Sequence, residues 1–173
     1  MIKFRWPNKI GLFFLILALI FQIYCAIQPI KFLLEHLFVM DDAFYYFQIA
    51  QNFVNDGWVT FDGIHSSSGI QLLWGLILFM AAKFVNGDVE FLRTILFLSV
   101  LLNTVAGIML WRLGRKLYSI EVGDLATILW SGFMIGLAPT MMGMEYSLHI
   151  VIIIMTISVW WEVINRKYSV SLS

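Results

Sequence analysis

From Ile10 to Ile30 the chain runs for 21 residues without one charged side chain. A helix of that length rises about 30 Å, the thickness of the hydrocarbon core of a bilayer. A secretory signal peptide is the rival assignment, but the run is too long for one and no small-x-small cleavage site follows it. The rest of the chain agrees with a membrane solvent. Hydrophobic residues make up 61% of the sequence, aromatic residues 16%, and the mean hydropathy is +0.86, far from the composition of a soluble domain. Basic and acidic residues balance at 11 each, for a formal charge of +0, so no overall field would recruit nucleic acid. The one cysteine, Cys25, lies inside the first apolar run and cannot form an internal disulfide. No repeat, low-complexity tract or linker divides the chain, which reads as a single membrane domain over 1–173.

The expected fold class is an all-α integral membrane protein with about four transmembrane helices and two interfacial helices in the first extracytoplasmic loop. Span one covers 10–30, with Pro29 bending or ending it and Lys31 and Glu35 placed to pair four residues apart. Residues 42–56 put Tyr46, Ile49, Ala50 and Phe53 on one stripe and Gln48, Asn52 and Asn55 on another, the pattern of a helix lying along a membrane surface. Asp41 suits its N-cap, and Asn55-Asp56-Gly57 its stop. Trp58–Phe61 reads as extended and is turned by Asp62-Gly63 into the polar run His65–Gly69.

The segment 70–85 decides the topology, because it is slightly short for a crossing. If it crosses, five Lys and Arg residues lie inside against six outside. If it stays at the outer surface, Lys3, Arg5, Lys9, Arg112, Arg115, Lys116, Arg166 and Lys167 lie inside and only Lys31, Lys83 and Arg93 outside. Positive residues concentrate on the cytoplasmic side, so 70–85 is expected to be interfacial or re-entrant, with Trp74 anchoring it at headgroup depth. The loop then spans 42–85, span two is 91–111, span three 125–139 and span four 148–164. Asn103 and Thr104 fall mid-span, where polar groups bind neighbouring helices. Gly132 and Gly136 are spaced to admit a close helix approach.

That topology delivers Asp41, Asp42 and Glu145 to one face of the membrane. A carboxylate beside apolar helices is partly desolvated, and a general base or a divalent-metal ligand is the chemistry open to it. The same acids also have a structural reading, as a helix cap and as first-turn charges that favour helix N-termini. His65 has no second ligand at metal-binding spacing. His36, His149 and the cluster Met141-Met142-x-Met144 suit packing, and there is no phosphate-cradling glycine loop, Ser elbow or CxxC.

The residues Asp41-Asp42-Ala43-Phe44-Tyr45-Tyr46, Ile49-Ala50-Gln51-Asn52, Gly57, Thr60-Phe61-Asp62-Gly63 and Ser67-Ser68-Gly69-Ile70-Gln71-Leu72-Leu73-Trp74, with Gly143-Met144-Glu145-Tyr146-Ser147-Leu148, resemble the front half of the C-type (GT-C) membrane glycosyltransferases. That family includes protein mannosyltransferases and aminoarabinose transferases. Ser68 and Leu72 stand where the family pattern has Asn and Pro. The resemblance implies a polyprenyl-phosphate-linked sugar as donor and an extracytoplasmic active site in a bacterial plasma (inner) membrane, with the N-terminus cytoplasmic. It makes Asp41 the general base toward the acceptor, with Asp42 beside it and Glu145 as the second acidic contributor. Lys83 and Arg93 would meet the phosphate, and His65 joins them as a substrate-binding candidate. No cofactor is implied beyond a divalent metal at the carboxylates. Family members carry further spans, so the resemblance implies a chain completed by more membrane segments or by a second chain. The alternative expectation is a non-catalytic membrane subunit or scaffold packing against a larger partner.

Overall fold

The computed structural model describes residues 8–36, 41–137 and 142–171. Lys3, Arg5 and Pro139–Met141, which the charge count and third span invoke, lie outside them. Seven helices are described: α1 (Lys9–Ile27), α2 (Ile30–Glu35), α3 (Asp41–Asp56), α4 (Leu72–Phe84), α5 (Asp88–Leu117), α6 (Ile120–Gly136) and α7 (Tyr146–Ser171). An isolated antiparallel bridge joins Thr60 to Ser66.

Three helices are long and apolar enough to cross a membrane: α1, α5 and the first twenty residues of α7. This is consistent with an integral membrane protein, at three such helices where the sequence predicted four. The fourth, α6, has only 17 residues. It also starts five residues earlier than predicted, at Ile120 instead of 125, because Ser119 accepts a hydrogen bond from the Val122 N–H and Asp124 is buried within the helix instead of ending it.

Local chemistry sets the ends of α1. The Asn8 side chain accepts from the Ile10 and Gly11 N–H groups at 2.9 Å, satisfying two of the donors a helix start leaves unpaired. Gln28 is extended before Pro29, which opens α2, as the restricted backbone of a pre-proline residue favours. Lys31 and Glu35 pair at 3.7 Å on α2. At the far end of the next helix Gly57 takes φ +80° and stops α3, a conformation that glycine supplies without strain.

Polar contacts fix the helix directions. Asn8 donates from its backbone N–H to Asp124 Oδ1 at 3.1 Å, and Gln22 Nε2 donates to the Met134 carbonyl at 3.1 Å, so α1 and α6 run the same way. Helix α5 runs against both. Arg93 donates to the Ala26 and Gln28 carbonyls, Asn103 to Gln22 Oε1 at 3.4 Å, and Trp111 Nε1 to Asp124 Oδ1 at 3.0 Å. Helix α7 runs with α5, ending where Glu162 meets Lys116 at 2.6 Å.

The beginning of α5 therefore lies at the same end as the finish of α1. Between them α2, α3 and α4 stay at that end, where Ala43, Tyr46, Phe47, Ala50, Trp74 and Leu78 share one core with the first half of α5 and with Met142 and Met144. Trp74 is 1% exposed, with its indole N–H on the Gly143 carbonyl. It is a core residue and not the headgroup-depth anchor the sequence predicted.

Lipid tails are as apolar as a leucine side chain, so helices in a membrane gain little by hiding apolar faces from lipid and hold together by close backbone approach and polar contacts. The approach occurs at Gly114 and Gly123. A Cβ on Gly123 would stand 2.7 Å from the Trp111 carbonyl oxygen, and one on Gly114 would stand 3.0 Å from the Gly123 Cα. Gly132 and Gly136 were the predicted contact pair. Each faces open space, with nothing within 4 Å of an added Cβ, because α6 turns its buried face, Gly123, Asp124, Thr127, Ser131 and Met134, toward α1 and α5. The polar contacts are those of Gln22, Asn103 and Trp130, whose indole donates to the Asn103 carbonyl at 2.8 Å.

Candidate functional site

Helix α3 carries the adjacent acids on its first two positions. Asp42 donates its backbone N–H to Asp41 Oδ1 at 3.0 Å, a contact to the next residue. The expected N-cap bond, to an N–H two or three positions on, is not what this carboxylate makes. Both aspartates are exposed. They head different rows of the helix. Positions three, four and seven apart share a face, so Asp41 stands over Phe44 and Gln48, whereas Asp42 stands over Tyr46. The Phe44 row lines a cavity of about 300 Å³ between α2, α3 and the start of α5, together with Phe47, Gln51 and Leu92. Its polar rim is the bond from Gln51 Nε2 to Asp88 Oδ1, 2.9 Å.

Glu145 arrives from the other end of the sequence. It sits just ahead of α7, and its carbonyl accepts the His149 N–H at 3.0 Å, opening that helix. Its side chain is 7% exposed and its Oε2 has no hydrogen-bond partner. A buried carboxylate oxygen without a donor is costly, so this is the most chemically exceptional acid at this end of the bundle. Tyr46 reports what surrounds it. Burial pushes the Tyr46 phenol above its usual range, and the charges of Glu145 and then Asp42 push it further the same way. The charges of Asp42 and Glu145 thus both act on Tyr46, whose phenol stays protonated and able to donate at neutral pH. Sequence patterning placed Tyr46 on an apolar stripe, and nothing in that pattern marked it as the meeting point.

The three candidate substrate-binding residues fall in different settings. Arg93 spends its guanidinium on the last carbonyls of α1, where it acts as a helix C-cap from a neighbouring helix. Lys83 is exposed in the last turn of α4. His65 lies in the 60–66 turn, with its Nδ1 2.8 Å from Asp62 Oδ2. Asp62 is the organising residue there. It accepts from the His65 side chain, from the His65 and Ile64 N–H groups at 2.8 Å, and from Thr60 Oγ1 at 3.3 Å, and those donors hold its carboxyl well below the usual carboxylate range, the His65 ring contributing most. Asn52 of α3 ties the turn down by donating to the Thr60 and Phe61 carbonyls at 3.1 and 2.9 Å, and Phe61 stacks on Tyr45 at 4.8 Å. The turn is thereby fixed along α3 between Tyr45 and Asn52.

Among the described residues no three His, Cys, Asp or Glu side chains stand close enough to hold a metal ion. His36 donates from Nδ1 to the Phe32 carbonyl at 2.9 Å and stacks on the Phe32 ring. His149 is exposed on the first turn of α7 and does not pack as predicted.

The arrangement offers an exposed carboxylate pair at the start of α3, a cavity lined by the Phe44 row of the same helix, and a second, recessed carboxylate whose charge acts on Tyr46. No family model, no curated protein and no solved structure matches this chain.

Proposed function

We propose that this end of the bundle is an extracytoplasmic glycosyl-transfer site, using a polyprenyl-phosphate-linked sugar as donor, and that the chain acts as the front half of a GT-C type enzyme. The observation that carries the reading is that buried Glu145 follows Met144 in the core shared with Tyr46, which stands one helical turn from Asp42, and that the Asp42 and Glu145 charges both act on that phenol, with Asp41 adjacent in the chain. Asp41 takes the proton from the acceptor hydroxyl as its oxygen attacks the anomeric carbon, and the lipid phosphate departs with the bonding electron pair. Such a donor enters sideways from the bilayer, and the apolar cavity beside the Phe44 row suits its first isoprene units. Arg93 is committed to α1, so Lys83 is the cation assigned to the departing phosphate.

The reading includes an orientation. Helix α6 lies alongside α1 and α5 and is taken as the fourth crossing, α3 and α4 lie along the outer surface, and the start of α1 faces the cytoplasm of a bacterial inner membrane. Cysteine labelling in intact cells tests it. A Ser67→Cys chain is expected to react with an impermeant thiol reagent from outside, and a Ser119→Cys chain only after the membrane is opened. Reaction of Ser119→Cys from outside reverses the orientation and separates the site from its donor.

The direct test of function is sugar transfer in proteoliposomes supplied with the lipid-linked donor and a hydroxyl acceptor. Asp41→Asn is expected to lose transfer by about a hundredfold or more while inserting normally. Unchanged transfer in that variant removes Asp41 from the reaction, whereas no transfer by the unsubstituted chain rejects the enzymatic reading and leaves a non-catalytic subunit, for which loss of a partner complex would be the phenotype.

A further inference from the structure

We propose that Trp74 of α4 and Ser99 of α5 are positioning residues for Glu145, acting through the backbone of Gly143; the proposal rests on the place given to Glu145 above. Gly143 has φ +90°, a conformation that residues with a Cβ rarely adopt. Its two backbone groups are held from opposite sides. The Trp74 indole N–H donates to the Gly143 carbonyl at 3.3 Å, and the Gly143 N–H donates to Ser99 Oγ at 3.3 Å. The Ser99 hydroxyl in turn donates to the Ile95 carbonyl at 3.1 Å. One hydrogen-bonded line therefore runs from the α5 backbone through Ser99 and Gly143 to the ring of Trp74.

Every member of that line is buried. Ser99 is 0% and Trp74 1% exposed, and Met142 and Met144 pack on either side of Gly143 in the core shared by α3, α4 and α5. The segment entering α7 is thus fixed by two helices to which it is not adjacent in sequence. Glu145 follows two residues later.

Depth is the second consequence. Ser99 lies six residues beyond Arg93, which marks the end of α1, so the Gly143 turn sits about 9 Å below that end. A carboxylate drawn that far into the bundle loses water, and its free energy falls if it can swing outward. The clamp on Gly143 opposes that swing. It keeps Oε2 buried and unpartnered, with the Glu145 charge close enough to act on the Tyr46 phenol. In catalysis such preorganisation holds charge in place before the reaction needs it.

The test uses the full chain in proteoliposomes with Trp74→Phe and Ser99→Ala, each of which removes one contact to Gly143 and keeps most of the volume. Hydrogen exchange without substrate is read first. Amides of Gly143 to Glu145 are expected to exchange about tenfold faster in either variant, with α1 and α6 unchanged. Unaltered exchange at that segment overturns the clamp, and so does uniform acceleration across the bundle, which would report general loosening. Sugar transfer is read second, with kcat expected to fall about tenfold at unchanged KM for the donor. Faster local exchange with full transfer would overturn the positioning role while leaving the contacts as structure, and would count against Glu145 itself. If Asp41→Asn also leaves transfer intact, the site reading fails, and the exchange data still decide the clamp.

Discussion

Gly123→Ala is expected to destabilise the bundle by about 3 kcal/mol, near the upper end of what overpacking costs. The new methyl carbon would stand 2.7 Å from the Trp111 carbonyl oxygen and 3.1 Å from the Arg115 nitrogen. Both are backbone atoms of a helix and cannot rotate aside. To admit the methyl, α6 must move off α5, and that movement strains the Asp124 carboxylate, whose Oδ1 takes hydrogen bonds from Trp111 Nε1 and the Asn8 N–H. Asp124 is 5% exposed and its Oδ2 is already without a partner, so losing either donor leaves a buried charge still less satisfied. The control is Gly132→Ala in the same helix. Nothing lies within 4 Å there, and alanine is favoured over glycine in a helix interior by about 1 kcal/mol, so this variant is expected to match or exceed the parent. Reversible unfolding in mixed micelles compares the two. Equal loss at both positions would mean that α6 packs through its Gly132 face, against the arrangement described.

The contrast between those glycines shows what a sequence of this kind reveals. Apolar length is a local property, and α1, α5 and α7 are visible from it. The stop at Asn55-Asp56-Gly57, the turn at Asp62-Gly63 and the Lys31–Glu35 pair also depend on neighbours a few residues away. The close approach of α5 and α6 depends on Gly114 and Gly123, which lie on opposite sides of a turn and match no spacing within one helix. The four-residue spacing of Gly132 and Gly136 imitates a packing motif that no neighbouring helix of this chain uses.

Charges misled for the same reason. Asp88, Glu90 and Arg93 interrupt the apolar pattern, yet α5 begins at Asp88 and not at the expected residue 91. Asp88 is met by Gln51 and Arg93 by the carbonyls that end α1, partners 37 and 65 residues distant. Arg93 therefore cannot be read from its neighbours as a phosphate ligand or as a cap. Asp124 precedes the expected span three, and nothing local to it shows that Trp111 and Asn8 receive it. In the candidate site, the two aspartates were legible as an adjacent pair, but their division between a cavity row and a Tyr46 row follows from the helix starting at Asp41, and the burial of Glu145 follows from contacts with α4 and α5.

Glu145→Gln is expected to lower sugar transfer by about a hundredfold, within the range that a positioned acid or base contributes, and to leave insertion and the fold intact. The substitution preserves shape and removes the charge. If Glu145 served only to begin α7, glutamine would do as well, since the bond that opens the helix comes from the residue's carbonyl and not its side chain. Tyr46 supplies a readout independent of turnover. Its phenol is raised by burial first and by Glu145 next, so removing that charge is expected to lower its titration toward the ordinary tyrosine range in an ultraviolet difference titration. The linkage has a definite sign. A folded-state pKa above the unfolded one means that the folded chain keeps a proton which the unfolded chain has released, so stability declines as pH rises through the tyrosine range. That alkaline decline is expected to be shallower in Glu145→Gln. Full transfer in the variant would remove Glu145 from the reaction and leave Asp41 to carry it without a second acid, whereas an unmoved Tyr46 titration would remove Glu145 from the neighbourhood of that phenol.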